Sequence, residues 1–175
     1  MPVTKDFDTD NNHLAGICTG MSVSWAKFCL RKGRAPRNKE EMGGAGTFAA
    51  ELGQLKYLRT NVLDTEVGFA SLLSGKSMTE LGRKTRASKW FTTKRGRFKN
   101  AAQDVLHHPG VYLICTSDHT MGACYFRGGT LIFLDPNEGQ FSFDKASEFP
   151  SFYWSQVSKM GYDLSESILI KLGKA

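Results

Sequence analysis

Beyond residue 110 the apolar positions come in short runs, each broken by turn-forming residues. Stretches 111–116, 120–126, 130–134, 140–143 and 167–172 are rich in β-branched or aromatic side chains, the composition of strands. Ser117-Asp118 separates the first two and Arg127-Gly128-Gly129 lies between the second and third. Connections this short join antiparallel neighbours. Ahead of residue 110 the spacing is helical. In 18–32, Met21, Trp25, Phe28 and Leu30 form an apolar stripe, and Gly33 is placed to end it. Further helices are predicted over 39–58 (weakened by Gly43, Gly44 and Gly46), over 64–73 with Asp64 as cap, from Ser77 or Thr79, over 94–107 before Pro109, and near 146–160. The pattern is α+β: a helical N-terminal half packed on a C-terminal antiparallel sheet.

The chain has 175 residues, 41% of them hydrophobic. That is one domain's length, long enough to bury a core without disulfide or metal staples. A single domain over 1–175 is expected, with residues 1–10 as a flexible arm. No apolar run is long enough for a transmembrane helix, and the first residues lack the apolar core of a secretory signal. The four cysteines, Cys18, Cys29, Cys115 and Cys124, form no CxxC pair, and no His/Cys cluster has zinc-ligand spacing. Reduced thiols are expected, with Cys29, Cys115 and Cys124 in the core. No phosphate loop or dinucleotide fingerprint appears, so no metal or cofactor is expected. His107 and His108 before Pro109 read as a helix end.

Charge changes the picture in one place. Of the net +6, residues 76–99 carry nine bases against one acid, Glu80, leaving the rest slightly acidic. Arg83, Lys84, Arg86, Lys89, Lys94, Arg95, Arg97 and Lys99, interleaved with Trp90, Phe91 and Phe98, are candidates for binding an anionic surface. A solvated helix face and loop is the plainer reading.

Three short motifs carry candidate chemistry. The first is Gly16-Ile17-Cys18-Thr19-Gly20. A cysteine at a helix start meets unpaired N–H groups and the positive end of the helix dipole, which favour the thiolate. Its own N–H can supply half of an oxyanion hole. Gly16 and Gly20 leave room for a substrate backbone, and Trp25, two turns on, anchors the helix. A buried structural cysteine fits the same motif. The second is Asp118-His119 at the mouth of the second strand, where an imidazole can face a helix start and transfer protons near neutrality. The third is Asp135-Pro136-Asn137-Glu138-Gly139, closing the third strand. His119 and Asp135 flank the turn near Gly128, so folding sets them side by side and lets the carboxylate orient the imidazole. Alone, His119 fits a surface or capping role and Asp135 a turn-former.

Together the three, in the order Cys, His, Asp, form a papain-type arrangement. Residues 16–25, 119–125 and 134–141 resemble the YopT/AvrPphB-type cysteine proteases, bacterial effectors injected into host cells. The resemblance spans the catalytic blocks and leaves the basic stretch without a counterpart. It implies a papain-like fold, with Cys18 as nucleophile, His119 as general base and Asp135 as the orienting residue. It also implies an amide oxyanion donor shortly before the cysteine, for which Asn12 is favoured over Asn11 and His13. The expected activity is thiol endopeptidase hydrolysis through a thioester, on a host protein, by a virulence effector secreted without a cleaved signal peptide and acting as a monomer in the host cytosol, or else a cytoplasmic enzyme. Replacing Cys18, His119 or Asp135 by alanine is expected to abolish cleavage and leave the fold intact. The lipidated, polybasic tails cut by YopT are not carried over, since a site for them should be acidic and this chain is basic. Competing readings are glutamine deamidation or transglutamination by the same triad, and a bacteriocin-leader peptidase, which usually carries Asp-Cys-Gly at the nucleophile. A further one is a non-catalytic module binding an anionic membrane or, less favoured, nucleic acid.

Overall fold

The computed structural model describes residues 3–9, 17–44, 47–48, 94–95, 101–116, 119–162 and 167–172. Its centre is a seven-stranded sheet, antiparallel throughout. The strands are β1 (Val3–Asp8), β2 (Lys94–Arg95), β3 (Gly110–Thr116), β4 (Thr120–Tyr125), β5 (Leu131–Asp135), β6 (Gly139–Phe143) and β7 (Ser167–Leu172), in the order β1-β6-β5-β4-β3-β7-β2. Helix α1 (Ile17–Lys32) covers one face; α2 (Ala101–His107) and α3 (Phe149–Met160) cover the other.

The central strands are buried on both faces, so their sequences are nearly all apolar rather than alternating. The alternation lies in where the side chains go. On β3, Val111 and Leu113 join the core under α1, while Tyr112 and Ile114 join the core under α2 and α3. On β4, Cys124 faces α1 while Met121 and Ala123 face the other helices. The second core is aromatic: Phe133 sits among Phe141, Phe149, Phe152 and Tyr153, with ring centroids 5.5–6.4 Å apart, spacings that aromatic pairs favour.

Helix α1 ends as its sequence predicts. Gly33 adopts φ +67° and its N–H donates to the Cys29 carbonyl at 2.9 Å, the left-handed stop that glycine adopts without penalty. The apolar stripe is broader than predicted, because Ile17, Cys18, Val23, Ala26 and Cys29 are also buried. Cys29 and Cys124 lie in the core, whereas Cys115 is half-buried.

Three expectations change. Residues 3–8 of the predicted arm form edge strand β1 on β6, held by Asp6, whose carboxylate accepts from Gln140 Nε2 at 2.8 Å and Ser142 Oγ at 2.6 Å. The sheet therefore draws strands from both halves of the chain. Of the helix predicted over 39–58, Glu40–Met42 make one short 3-10 turn, after which Gly43 takes φ +104°; residues 47–48 are helical and 49–58 lie outside the described residues. Of the helix predicted over 94–107, Ala101–His107 is helical, whereas Lys94–Arg95 pair with β7. The helices predicted over 64–73 and from Ser77 or Thr79 lie outside the described residues.

Helix α1 meets the sheet at Gly122. A Cβ there would lie 2.7 Å from the Trp25 ring, and the ring cannot retreat, because Trp25 Nε1 donates to Gln140 Oε1 at 2.8 Å. Gly122→Ala is expected to lower stability by about 1–3 kcal/mol through overpacking, read as a lower urea midpoint at unchanged slope.

Candidate active site

Cys18 is the second residue of α1, so its N–H is among the first four of the helix, which have no intrahelical acceptor. Two bonds tie this end of the helix to the start of β4. Thr19 Oγ1 and Thr120 Oγ1 are 3.0 Å apart, and Ser22 Oγ donates to the Thr120 carbonyl at 2.8 Å. The Thr120 backbone also lies close enough to the Cys18 thiol to lower its pKa.

His119 immediately precedes Thr120, in the turn between β3 and β4. Its N–H donates to Thr116 Oγ1 at 2.9 Å, and its carbonyl accepts from Thr116 N at 2.8 Å. The backbone is thereby closed on itself and the imidazole is aimed inward. On the β4–β5 ladder Gly122 pairs with Leu134 and Ala123 with Phe133. Continuing that register sets Asp135 opposite Met121, so His119 is its diagonal neighbour on the same face. The outcome is a bond of 2.9 Å between His119 Nε2 and Asp135 Oδ1. With Nε2 engaged by the carboxylate, Nδ1 is the ring nitrogen left for Cys18, which lies close enough to His119 for each to shift the other's pKa.

The electrostatics follow from these contacts. Burial pushes the Cys18 thiol up, but the bond to His119, its charge, the Thr120 backbone and the Thr19 hydroxyl outweigh it, and the net shift is downward. Burial pushes His119 down, but the bond to Asp135 and the bond to Cys18 outweigh it, raising the imidazole to about 9. Opposite shifts on bonded partners favour a thiolate–imidazolium pair.

Asp135 is fully buried, and three further residues satisfy its carboxylate. Tyr162 Oη donates to Oδ1 at 2.8 Å and to Oδ2 at 2.9 Å. Asn137 N–H donates to Oδ1 at 3.1 Å, and Gln156 Nε2 reaches Oδ2 at 3.4 Å. The Asn137 bond is the Asx turn expected of Asp-Pro-Asn, so Asp135 shapes its turn and holds the histidine at once. Tyr162 also lies flat on the imidazole, with centroids 4.1 Å apart and planes inclined 21°.

Cys18, His119 and Asp135 are thus brought together. Asn12 lies outside the described residues, as do Gly16, Arg83, Lys84, Arg86, Lys89, Arg97 and Lys99; of the basic stretch only the Lys94–Arg95 backbone is described, as β2. Gly20 serves a different purpose from the one expected. A Cβ there would overlap the Phe48 carbonyl, so the space it leaves is taken by this chain's own backbone and not by a substrate.

The fold has solved counterparts. It is similar to the Pseudomonas avirulence protein AvrPphB, with a TM-score of 0.57, 18% identity and 95% of both chains covered. It is also similar to PatoxP, a cysteine protease-like domain of the Photorhabdus asymbiotica toxin PaTox, with a TM-score of 0.52 and 15% identity, over 94% of this chain and 52% of that one. The fold is papain-like. The likeness first carried by three short motifs extends to the architecture, at identities that speak for the fold alone. No protein-family model matches the chain, and no curated protein sequence does.

Sequence reasoning missed Gln156 and Tyr162 as parts of the candidate site. Nothing local marks them: each reaches Asp135 from more than twenty residues away in the chain. A polar Gln156 on the aromatic, core-facing side of α3 was the one available signal, since a buried amide needs a partner.

Proposed function

We propose that this protein is a cysteine protease that cleaves a protein substrate through a Cys18–His119–Asp135 triad. The observation that carries the reading is a buried imidazole bonded to a carboxylate and set beside a thiol, with the pKa of the thiol lowered and that of the imidazole raised. His119 holds the proton that Cys18 gives up. The thiolate attacks an amide carbonyl, and the Cys18 N–H stabilises the oxyanion, with Asn12 as the proposed second donor. His119 then gives its proton to the leaving amine, and water hydrolyses the thioester. The likeness in fold to an avirulence protein and to a toxin domain supports an effector acting on a protein of another cell.

The test is labelling with an epoxysuccinyl peptide followed by mapping of the adduct. Modification confined to Cys18 and lost in His119→Ala supports the reading; labelling spread over the four cysteines refutes it. Deamidation passes through the same acyl-enzyme, and mass spectrometry of treated peptides tells chain cleavage from the mass gain of a deamidated glutamine.

The pair also sets a pH window. Activity requires ionised Cys18 and protonated His119, so the rate is expected to fall on the alkaline side through about 9 and to persist on the acid side below the range of an ordinary thiol, about 8.5. Stability carries the same sign at its alkaline edge. A histidine raised to about 9 in the fold stabilises it fully below its unfolded pKa, about 6.5, and that contribution is lost as pH rises through the folded value. Thermal midpoints recorded across this range check it, with His119→Ala as the variant in which that component of the pH dependence disappears.

A further inference from the structure

The groups around His119 divide into those the mechanism uses and one it does not. Asp135 bonds the imidazole through Nε2, and the Cys18 thiol acts on it from nearby. Tyr162 bonds neither ring nitrogen. It covers the face of the ring, at 4.1 Å between centroids, and its hydroxyl reaches both oxygens of Asp135. A third bond fixes the phenol, since Asn137 Nδ2 donates to Tyr162 Oη at 3.2 Å.

The local chain explains why the ring arrives there. Helix α3 stops at Gly161, which adopts φ +68°. This left-handed residue turns the chain back as soon as the helix ends, and Tyr162 is the next residue. Without that turn the aromatic ring would continue along the helix axis.

We propose that Tyr162 is a positioning residue of the triad, whose ring holds the His119 imidazole in the plane that serves Cys18 and whose hydroxyl orients Asp135 and moderates its pull on the imidazolium. The inference rests on the proposed triad and adds to it a fourth member that touches no reacting atom.

The two parts of the side chain have separable effects. A hydroxyl donating to a carboxylate draws off part of its negative charge, and a carboxylate so engaged holds a neighbouring imidazolium less tightly. Burial and the nearby Asp135 carboxylate, with a smaller contribution from Glu138, hold the phenol protonated well above its ordinary range. The hydroxyl is therefore a donor throughout the pH range in which the triad works. The ring acts by contact: it occupies the space into which the imidazole would otherwise turn. Among the described residues, Cys18, Asp135 and Tyr162 are the titratable groups facing His119, and Asp135 and Glu138 those acting on Tyr162.

The experiment needs no substrate. The rate of Cys18 alkylation by iodoacetamide is measured against pH in the intact chain, and the His119 imidazole is titrated by NMR, in wild type, His119→Ala, Tyr162→Phe and Tyr162→Leu. Tyr162→Phe keeps the ring and loses the hydroxyl; the imidazole midpoint is expected to rise, by on the order of one pH unit, with alkylation at neutral pH nearly retained. Tyr162→Leu loses the stack as well, and alkylation at neutral pH is expected to fall by roughly tenfold or more. If both variants melt earlier but keep the wild-type imidazole midpoint and alkylation profile, Tyr162 is a packing residue only and the inference is overturned. If Cys18 in wild type alkylates as an ordinary thiol and His119→Ala changes nothing, the triad itself fails, a result distinct from the first. Should Tyr162→Leu not fold, Tyr162→Phe alone decides, since an unmoved imidazole midpoint in that variant refutes the role given to the hydroxyl.

Discussion

Replacing Cys18 with alanine is expected to remove epoxysuccinyl labelling and to reduce peptide cleavage by at least about 10⁴-fold, while leaving the thermal midpoint close to that of wild type. The chemical half of this expectation is direct, because alanine offers no nucleophile and the proposed acyl-enzyme cannot form. The structural half comes from the thiol's surroundings. Cys18 lies at the margin of burial, at 9% exposure, against 0% for Trp25 and Cys29 further along α1. The helix is fastened to β4 through Thr19 and Ser22, which the substitution leaves in place. Peptide-library cleavage read by mass spectrometry, with a melting curve on the same preparation, checks both halves. Retained cleavage by the alanine variant would falsify the proposed mechanism.

Asp135→Ala is expected to do more than stop the chemistry. The sequence alone suggests that the fold survives this change, and the structure argues otherwise. The carboxylate is fully buried and accepts from His119, Tyr162, Asn137 and Gln156. Alanine would strand these donors in a closed site, the situation in which deleting one partner of a buried ionic pair costs about 3–5 kcal/mol. For a chain of this size that corresponds to a thermal midpoint lower by on the order of 10 °C. Asp135→Asn separates the two effects. It keeps the shape and one oxygen, restores much of the stability and still leaves the imidazole without its carboxylate, so activity should remain lower by roughly 10⁴-fold, the scale seen for this exchange in a Ser-His-Asp triad. An asparagine variant with near-wild-type turnover would remove Asp135 from the mechanism.

How legible the site was depended on the distance over which each contact acts. His119 leads into β4 and Asp135 ends β5, consecutive strands joined by a turn at Arg127-Gly128-Gly129, so hairpin logic alone placed them together; the β4–β5 register makes them diagonal neighbours on one face. Helix α1 and the strands of the second half were readable because their apolar runs and turn residues agree. Strand β1 was not. Lys5, Asp6 and Asp8 give Val3–Asp8 the look of a solvated arm, and Asp6 finds its partners only once Gln140 and Ser142 lie beside it. Lys94–Arg95 failed as a helix start for a similar reason, since pairing with β7 outweighs local preference. Gln156 and Tyr162 belong to the same class: their meaning lies in Asp135, at separations of 21 and 27 residues.

The bonds that seat α1 on β4 join residues 101 and 98 positions apart, Thr19 to Thr120 and Ser22 to Thr120. Contacts closed over so long a stretch of chain are costly in loop entropy and form slowly. Until they close, Cys18 has no imidazole beside it and carries the reactivity of an ordinary thiol. A chain held unfolded therefore offers only slowly reacting, ordinary thiols, and the appearance of a fast-alkylating thiolate during refolding marks the moment at which helix and sheet have docked. Pulse alkylation would use the nucleophile itself as a clock for assembly.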